Sequence, residues 1–246
     1  METVQSNKLT FLEDRNVFIF DTETTGLPER VPGSKWGSID EYWPYHMNKK
    51  YDSSRIVSIS WVLANSFNKS LLESEYSSKI KEYIRYPEDF NEIPTTHIHG
   101  ISITHALNDG IPLSDIVFNC GLADALEKAD YIMAHNVMFD IHILENELYR
   151  LFNECKNIEM EERLMKIIQK IEAMKFTERI ICTGELGKNI CQLEFKSRNG
   201  KDTGRIKKWK MPKLKELHMH LVGVEHENQH SAGGDVLALL RCISRM

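Results

Sequence analysis

The ten residues Val17-Phe18-Ile19-Phe20-Asp21-Thr22-Glu23-Thr24-Thr25-Gly26 constrain the fold of this chain more than any other stretch. The first four are apolar, β-branched or aromatic, the pattern of a strand buried on both faces at the centre of a sheet. Two carboxylates follow at once. Side chains two apart along a strand share a face, so Asp21 and Glu23 are expected to point the same way at the carboxyl end. Unpaired buried carboxylates are costly, and a bound divalent cation offsets that cost. A turn pair that merely closes a strand would look the same in isolation, and only the other acids of the chain separate the two readings.

The 246 residues, 41% of them hydrophobic, suit one domain of generous size, 1–246, with insertions near 28–55, 156–178 and 184–210. The net charge of −5 argues against a generic polyanion-coating protein, but it conceals a basic stripe. Between Lys196 and Lys215 stand nine Lys or Arg and a single acid, Asp202, which leaves −13 for the remainder. Five cysteines without a Cys-x-x-Cys pair read as reduced core thiols. No apolar leader or membrane span is visible, and the expectation is a soluble, intracellular protein with no membrane partner.

Along the chain, the polar connection 28–55 carries Trp36, Tyr42, Trp43, Tyr45 and Tyr51 among basic residues. Such aromatics either stack on unpaired bases or pin the loop to the domain. Arg55–Leu63 reads as a second strand and Ser70–Ile80 as a third, in an antiparallel meander. Residues 93–101 suggest a short helical turn stopped by Gly100. Pro112 opens a helix to about Lys128, and Tyr131–His135 forms a fourth strand. Asn136 is expected to cap a helix from Val137 to about Cys155, placing Asp140 in its first turn. The spacing of Met160, Leu164, Ile167, Ile168, Ile171 and Met174 predicts an amphipathic helix over 158–175. Arg179–Thr183 is a fifth strand, Gly200 and Gly204 serve as turn residues in the basic stretch, 213–221 is helical, and a last helix starts just after His230. The sum is an α/β layer architecture: a three-stranded meander plus two strands separated by helices.

Four carboxylates thus fall at comparable places, Asp21 and Glu23 at a strand end, Asp140 and Asp235 in the first turns of helices, where the helix dipole favours their charge. Phe-Asp-Thr-Glu-Thr-Thr-Gly (20–26), His-Asn-Val-Met-Phe-Asp (135–140) and His-Ser-Ala-Gly-Gly-Asp (230–235), in that order, resemble the three motifs of the DEDDh (DnaQ-like, ribonuclease-H-fold) 3′→5′ exonucleases, a family that includes polymerase proofreading subunits. Ile98-His99-Gly100-Ile101 and Lys210-Met211-Pro212-Lys213-Leu214-x-x-Leu217 resemble further family segments, and the likeness covers roughly 15–155 and 179–246. One departure is Ser58-Ile59-Ser60, where many members carry a glutamate.

The resemblance implies a ribonuclease-H-like mixed sheet of five strands, three in the meander and two parallel, flanked by helices. It implies two Mg²⁺ or Mn²⁺ ions, the hard cations that oxygen ligands select. Asp21 would bridge them, Glu23 and Asp235 would complete the direct shell, and Asp140 would act through water. His230 would be the general base, the role that imidazole suits near neutral pH. Thr24 and Leu27 would touch the terminal nucleotide, while His99 and Phe139 would pack against its bases; for Phe139 an ordinary core aromatic is the alternative. The implied substrate is the 3′ end of single-stranded or frayed DNA, in proofreading or repair with a polymerase as partner. Two readings stay open beside it: an RNA-trimming exoribonuclease, and a non-catalytic nucleic-acid-binding or polymerase-tethering module. A structural calcium-binding protein fails for lack of an EF-hand loop.

Overall fold

The computed structural model describes residues 9–195, 209–226 and 231–246. Its sheet contains β1 (Val17–Thr24), β2 (Ile56–Ala64), β3 (Lys81–Ile84), β4 (Tyr131–Ala134) and β5 (Ile180–Cys182), in the order β3-β2-β1-β4-β5. β1 pairs antiparallel with β2, and β2 with β3, whereas β4 runs parallel to both β1 and β5. The fold class is the one implied by the motifs. The helices before β5 are α1 (Leu72–Tyr76), α2 (Thr96–His99), α3 (Ile103–Asp109), α4 (Leu113–Phe118), α5 (Leu122–Lys128), α6 (Val137–Glu154) and α7 (Ile158–Phe176). After it come α8 (Thr183–Cys191), α9 (Leu214–Val222) and α10 (Ala232–Ile243). No helix among the described residues is long and apolar enough to cross a membrane.

β1 is central because it is apolar on both faces. Phe18 and Phe20 are buried with residues of α4 to α7, and Val17 and Ile19 with residues of α1, α9 and α10. This parity decides where the polar end of the strand emerges. Asp21 and Glu23 continue the Val17–Ile19 face toward α10, and Thr22 continues the Phe18–Phe20 face toward α6.

Three sequence expectations require correction. Residues 70–80 are not the third strand. Asn68 accepts a hydrogen bond from the Ser70 amide (3.0 Å) and opens helical turns that bury Leu72 and Tyr76 at helical spacing, and β3 begins at Lys81. The helix expected from Pro112 to Lys128 is two, α4 and α5, separated at Gly121, whose φ of 88° belongs to the left-handed region. Asn136 precedes α6 in a left-handed conformation (φ 61°) and makes no side-chain capping bond. The turn before Gly100 is as expected: α2 ends there in a left-handed residue. In α7 the buried face comprises Leu164, Ile167, Ile168, Ile171 and Met174, while Met160 is exposed. The five cysteines are free thiols, with Cys242 buried.

The 28–55 connection is tied down along its length. Tyr42 and Tyr51 are buried, Trp43 and Tyr45 pack partly buried against the core, and Asn146 of α6 donates to the Tyr45 carbonyl at 2.6 Å. For these four aromatics the loop-pinning reading holds. Trp36 alone of the five is exposed, with the Arg30 guanidinium 4.8 Å from its ring centroid. Beneath the loop, Glu147 of α6 is buried and binds Arg55 (2.8 Å) and Arg85 (2.9 Å), and both arginines also pair with Asp89. The cluster joins the start of β2 and the end of β3 to the helix that carries Asp140.

Candidate active site

The site forms where β1, α6 and α10 meet. Asp21 and Glu23 leave the end of β1 on the α10 face, Asp235 projects from the first turn of α10, and carboxylate oxygens of the three lie within 4.8 Å of one another. Asp140 arrives from α6 and is buried; its Oδ1 accepts from the Thr22 hydroxyl at 2.6 Å and from the Thr22 amide at 3.2 Å. All four acids anticipated from the sequence are therefore brought to one place.

Their electrostatics are those of crowded anions. Burial pushes the Asp21 carboxyl well up, and the charges of Asp140, Asp235, Glu23 and Glu82 push it further. Glu23 rises to about 8, by burial first and then by Asp235, Asp140 and Glu82. Burial lifts Asp140 to about 7 against the two bonds from Thr22, with Asp235 adding to the rise. Carboxylates forced together at this density fit hard divalent cations, which bind oxygen donors and supply the positive charge that would hold the acids ionised.

α10 is positioned by two capping interactions. Ser231 accepts from the Gly234 amide at 3.0 Å, and Glu82 of β3 accepts from the Gly233 amide at 2.9 Å. His226 is buried next to the same turn, its Nε2 3.0 Å from the Gly234 carbonyl and 3.3 Å from Asp235 Oδ1. His230, expected as general base, lies outside the described residues, as does the part of the basic stretch from 196 to 208 with Gly200 and Gly204. Of its remaining lysines, Lys210 pairs with Glu216 at 2.9 Å. His135 of the second motif bridges Thr183 (3.0 Å) and the Pro212 carbonyl (2.9 Å); burial pushes its pKa down to about 4, so it is a neutral structural link.

The four residues expected at the nucleotide differ in setting. Leu27 is 75% exposed directly beyond the carboxylates, the one apolar side chain of the four free to meet a ligand face. Thr24 is buried, its hydroxyl donating to the Gly26 carbonyl at 2.8 Å and its own carbonyl accepting from Thr95. His99 lies 3.0 Å from the Thr95 hydroxyl and accepts from the Ile101 amide at 3.1 Å. It lines a cleft of about 630 Å³ together with Glu82, Tyr83, Ile101 and Ser231. Phe139 is partly buried against the core, edge-on to Tyr42 at 6.5 Å. Thr22, Glu82 and His226 were not foreseen. Thr22 had a signal, since a hydroxyl between two acids on a strand faces the opposite layer; the other two depend on contacts between distant segments.

No family model matches the chain, and no curated protein matches it in sequence. Among solved structures, S. pombe Pop2p in its Mg²⁺- and Mn²⁺-bound form is similar with a TM-score of 0.52 at 16% identity, over 96% of this chain and 84% of that one. The zinc-bound complex of E. coli exonuclease I (ExoI) with single-stranded DNA is similar with a TM-score of 0.50 at 14% identity, over 93% of this chain. This chain spans 39% of the length of exonuclease I. At such identities the likeness establishes the fold alone.

Proposed function

We propose that this chain is a metal-dependent 3′→5′ exonuclease that hydrolyses phosphodiester bonds at the 3′ end of single-stranded or frayed DNA and releases nucleoside monophosphates. The observation that carries the reading is the convergence of Asp21, Glu23 and Asp235, with Asp140 buried beside them, in a fold shared with solved exonucleases. Asp21, Glu23 and Asp235 would hold two Mg²⁺ or Mn²⁺ ions, Asp21 contributing to both. Bound there, such a pair supplies a hydroxide nucleophile near neutral pH and stabilises the leaving alkoxide. Asp140, fixed by Thr22, adds its charge through water. His230 takes the proton from the attacking water, a task suited to an imidazole near pH 7. Leu27 and His99 contact the terminal nucleotide, Thr24 shapes the turn beneath it, and Phe139 bounds it on the α6 side. Lysines and arginines between 196 and 215 follow the phosphates of the strand. A proofreading or repair role, with a polymerase delivering the frayed end, follows from the motif resemblance.

The test is incubation of the chain with matched 5′-labelled single-stranded DNA and RNA, with Mg²⁺, Mn²⁺ or chelator. A metal-dependent ladder of shortened products is the expected result, and the strand degraded faster identifies the preferred sugar. Salt-sensitive binding without shortening in either metal would replace the enzyme by a binding module.

A further inference from the structure

We infer that Glu82, on the edge strand β3, is a positioning residue of the carboxylate site: it fixes the first turn of α10 and thereby the placement of Asp235. The inference rests on the proposed metal-dependent reading of that site. Strand register supplies the geometry. Asp21 stands opposite Ser60 on β2, and Ser60 stands opposite Glu82 on β3, so the three residues form one row on one face of the sheet. Ser60, the residue between them in that row, is small, buried and donates to the Lys81 carbonyl at 2.8 Å.

From that row Glu82 reaches the N-terminus of α10. The first amides of a helix lack intrahelical acceptors, and here they are satisfied in two ways. Ser231 takes the Gly234 amide and Glu82 Oε1 takes the Gly233 amide, two residues before Asp235. The first intrahelical bond, from the Asp235 amide to the Ser231 carbonyl at 2.9 Å, starts at this clamped turn. A bond from a helix-end amide to a charged carboxylate is among the stronger hydrogen bonds. The approach is close. A Cβ at Gly233 would stand 2.8 Å from Glu82 Cδ, inside van der Waals contact, so a side chain there would displace the carboxylate. A negative charge this near also presses on Asp21 and Glu23.

Outer-shell partners of metal ligands change metal affinity or activity about 10- to 100-fold when removed. The experiment compares Glu82→Ala, Glu82→Gln, Gly233→Ala and the Glu82→Ala/Gly233→Ala double variant. Mn²⁺ binding is measured by calorimetry without nucleic acid, beside the rate of 3′-end release. Glu82→Ala and Gly233→Ala are each expected to weaken Mn²⁺ binding about tenfold. Glu82→Gln keeps an acceptor for the Gly233 amide and is expected to remain within about threefold of the parent. The double variant is expected to be no worse than the poorer single, because both changes break one contact. Unchanged Mn²⁺ affinity in Glu82→Ala, or losses that multiply in the double variant, would overturn the inference while leaving the exonuclease reading intact. A parent chain that binds no Mn²⁺ would overturn both.

Discussion

Burial and neighbouring carboxylates hold Asp21 well above the ordinary carboxylate range, Glu23 at about 8 and Asp140 at about 7, and the sign of their effect on stability follows. The folded, metal-free chain keeps protons that the unfolded chain releases near pH 4 to 4.5, so the site destabilises the fold increasingly as pH rises through about 8. Glu23→Gln is therefore expected to raise the melting temperature of the metal-free chain, by a margin that widens between pH 5 and pH 8. Mn²⁺ should raise the parent's melting temperature more at pH 8 than at pH 6, because protons compete for the same oxygens. Melting curves at four pH values decide this; a margin that narrows with rising pH would refute the crowding. At this scale the sequence was legible where chemistry dictates residue type: the four acids stand out because the proposed cations would need oxygen ligands. Glu82 and His226 were not, because a glutamate or histidine in a segment whose place in the fold is unknown resembles any other.

Local patterns failed where a long-range contact decided the outcome. A meander places its third strand over residues 70–80, yet Leu72 and Tyr76 face one core at helical spacing and the pairing with β2 goes to residues 81–84. That error of a few residues hid the alignment of Glu82 with Asp21, since a strand slip moves every side chain to another row. Helices α6, α7, α9 and α10 were legible because their apolar faces repeat over several turns. The buried contact between Glu147 and the arginines Arg55 and Arg85 was invisible in the same way as Glu82, and it ties α6 to the ends of β2 and β3. Burial alone would raise Glu147, but Arg85 and Arg55 outweigh it and hold it at about 2. Its contribution is complete above pH 4.5 and is lost as pH falls toward 2. Removing the carboxylate with Glu147→Ala leaves two buried guanidiniums short of a partner, and a loss of about 3–5 kcal/mol is expected in urea unfolding near pH 7. A loss under 1 kcal/mol would show that Asp89 alone satisfies both arginines.

Across the whole molecule, the order β3-β2-β1-β4-β5 puts β1 in the middle and brings its carboxyl end between the amino ends of α6 and α10. The architecture was readable because strand and helix patterns alternate along the chain as a layered α/β fold requires, and the three motifs resemble those of a family with such a sheet. The placement of the 28–55 connection was not, since aromatic residues suit a ligand and a core equally until their burial is known. The account stands on the carboxylates being a working metal site, and the most direct measurement is 3′-end release from 5′-labelled single strands by the parent and by Asp21→Asn, each checked by circular dichroism. The expected result is a ladder from the parent with Mg²⁺ or Mn²⁺, none with chelator, and none from a folded Asp21→Asn. A folded Asp21→Asn that shortens the strand at near the parent's rate would contradict it.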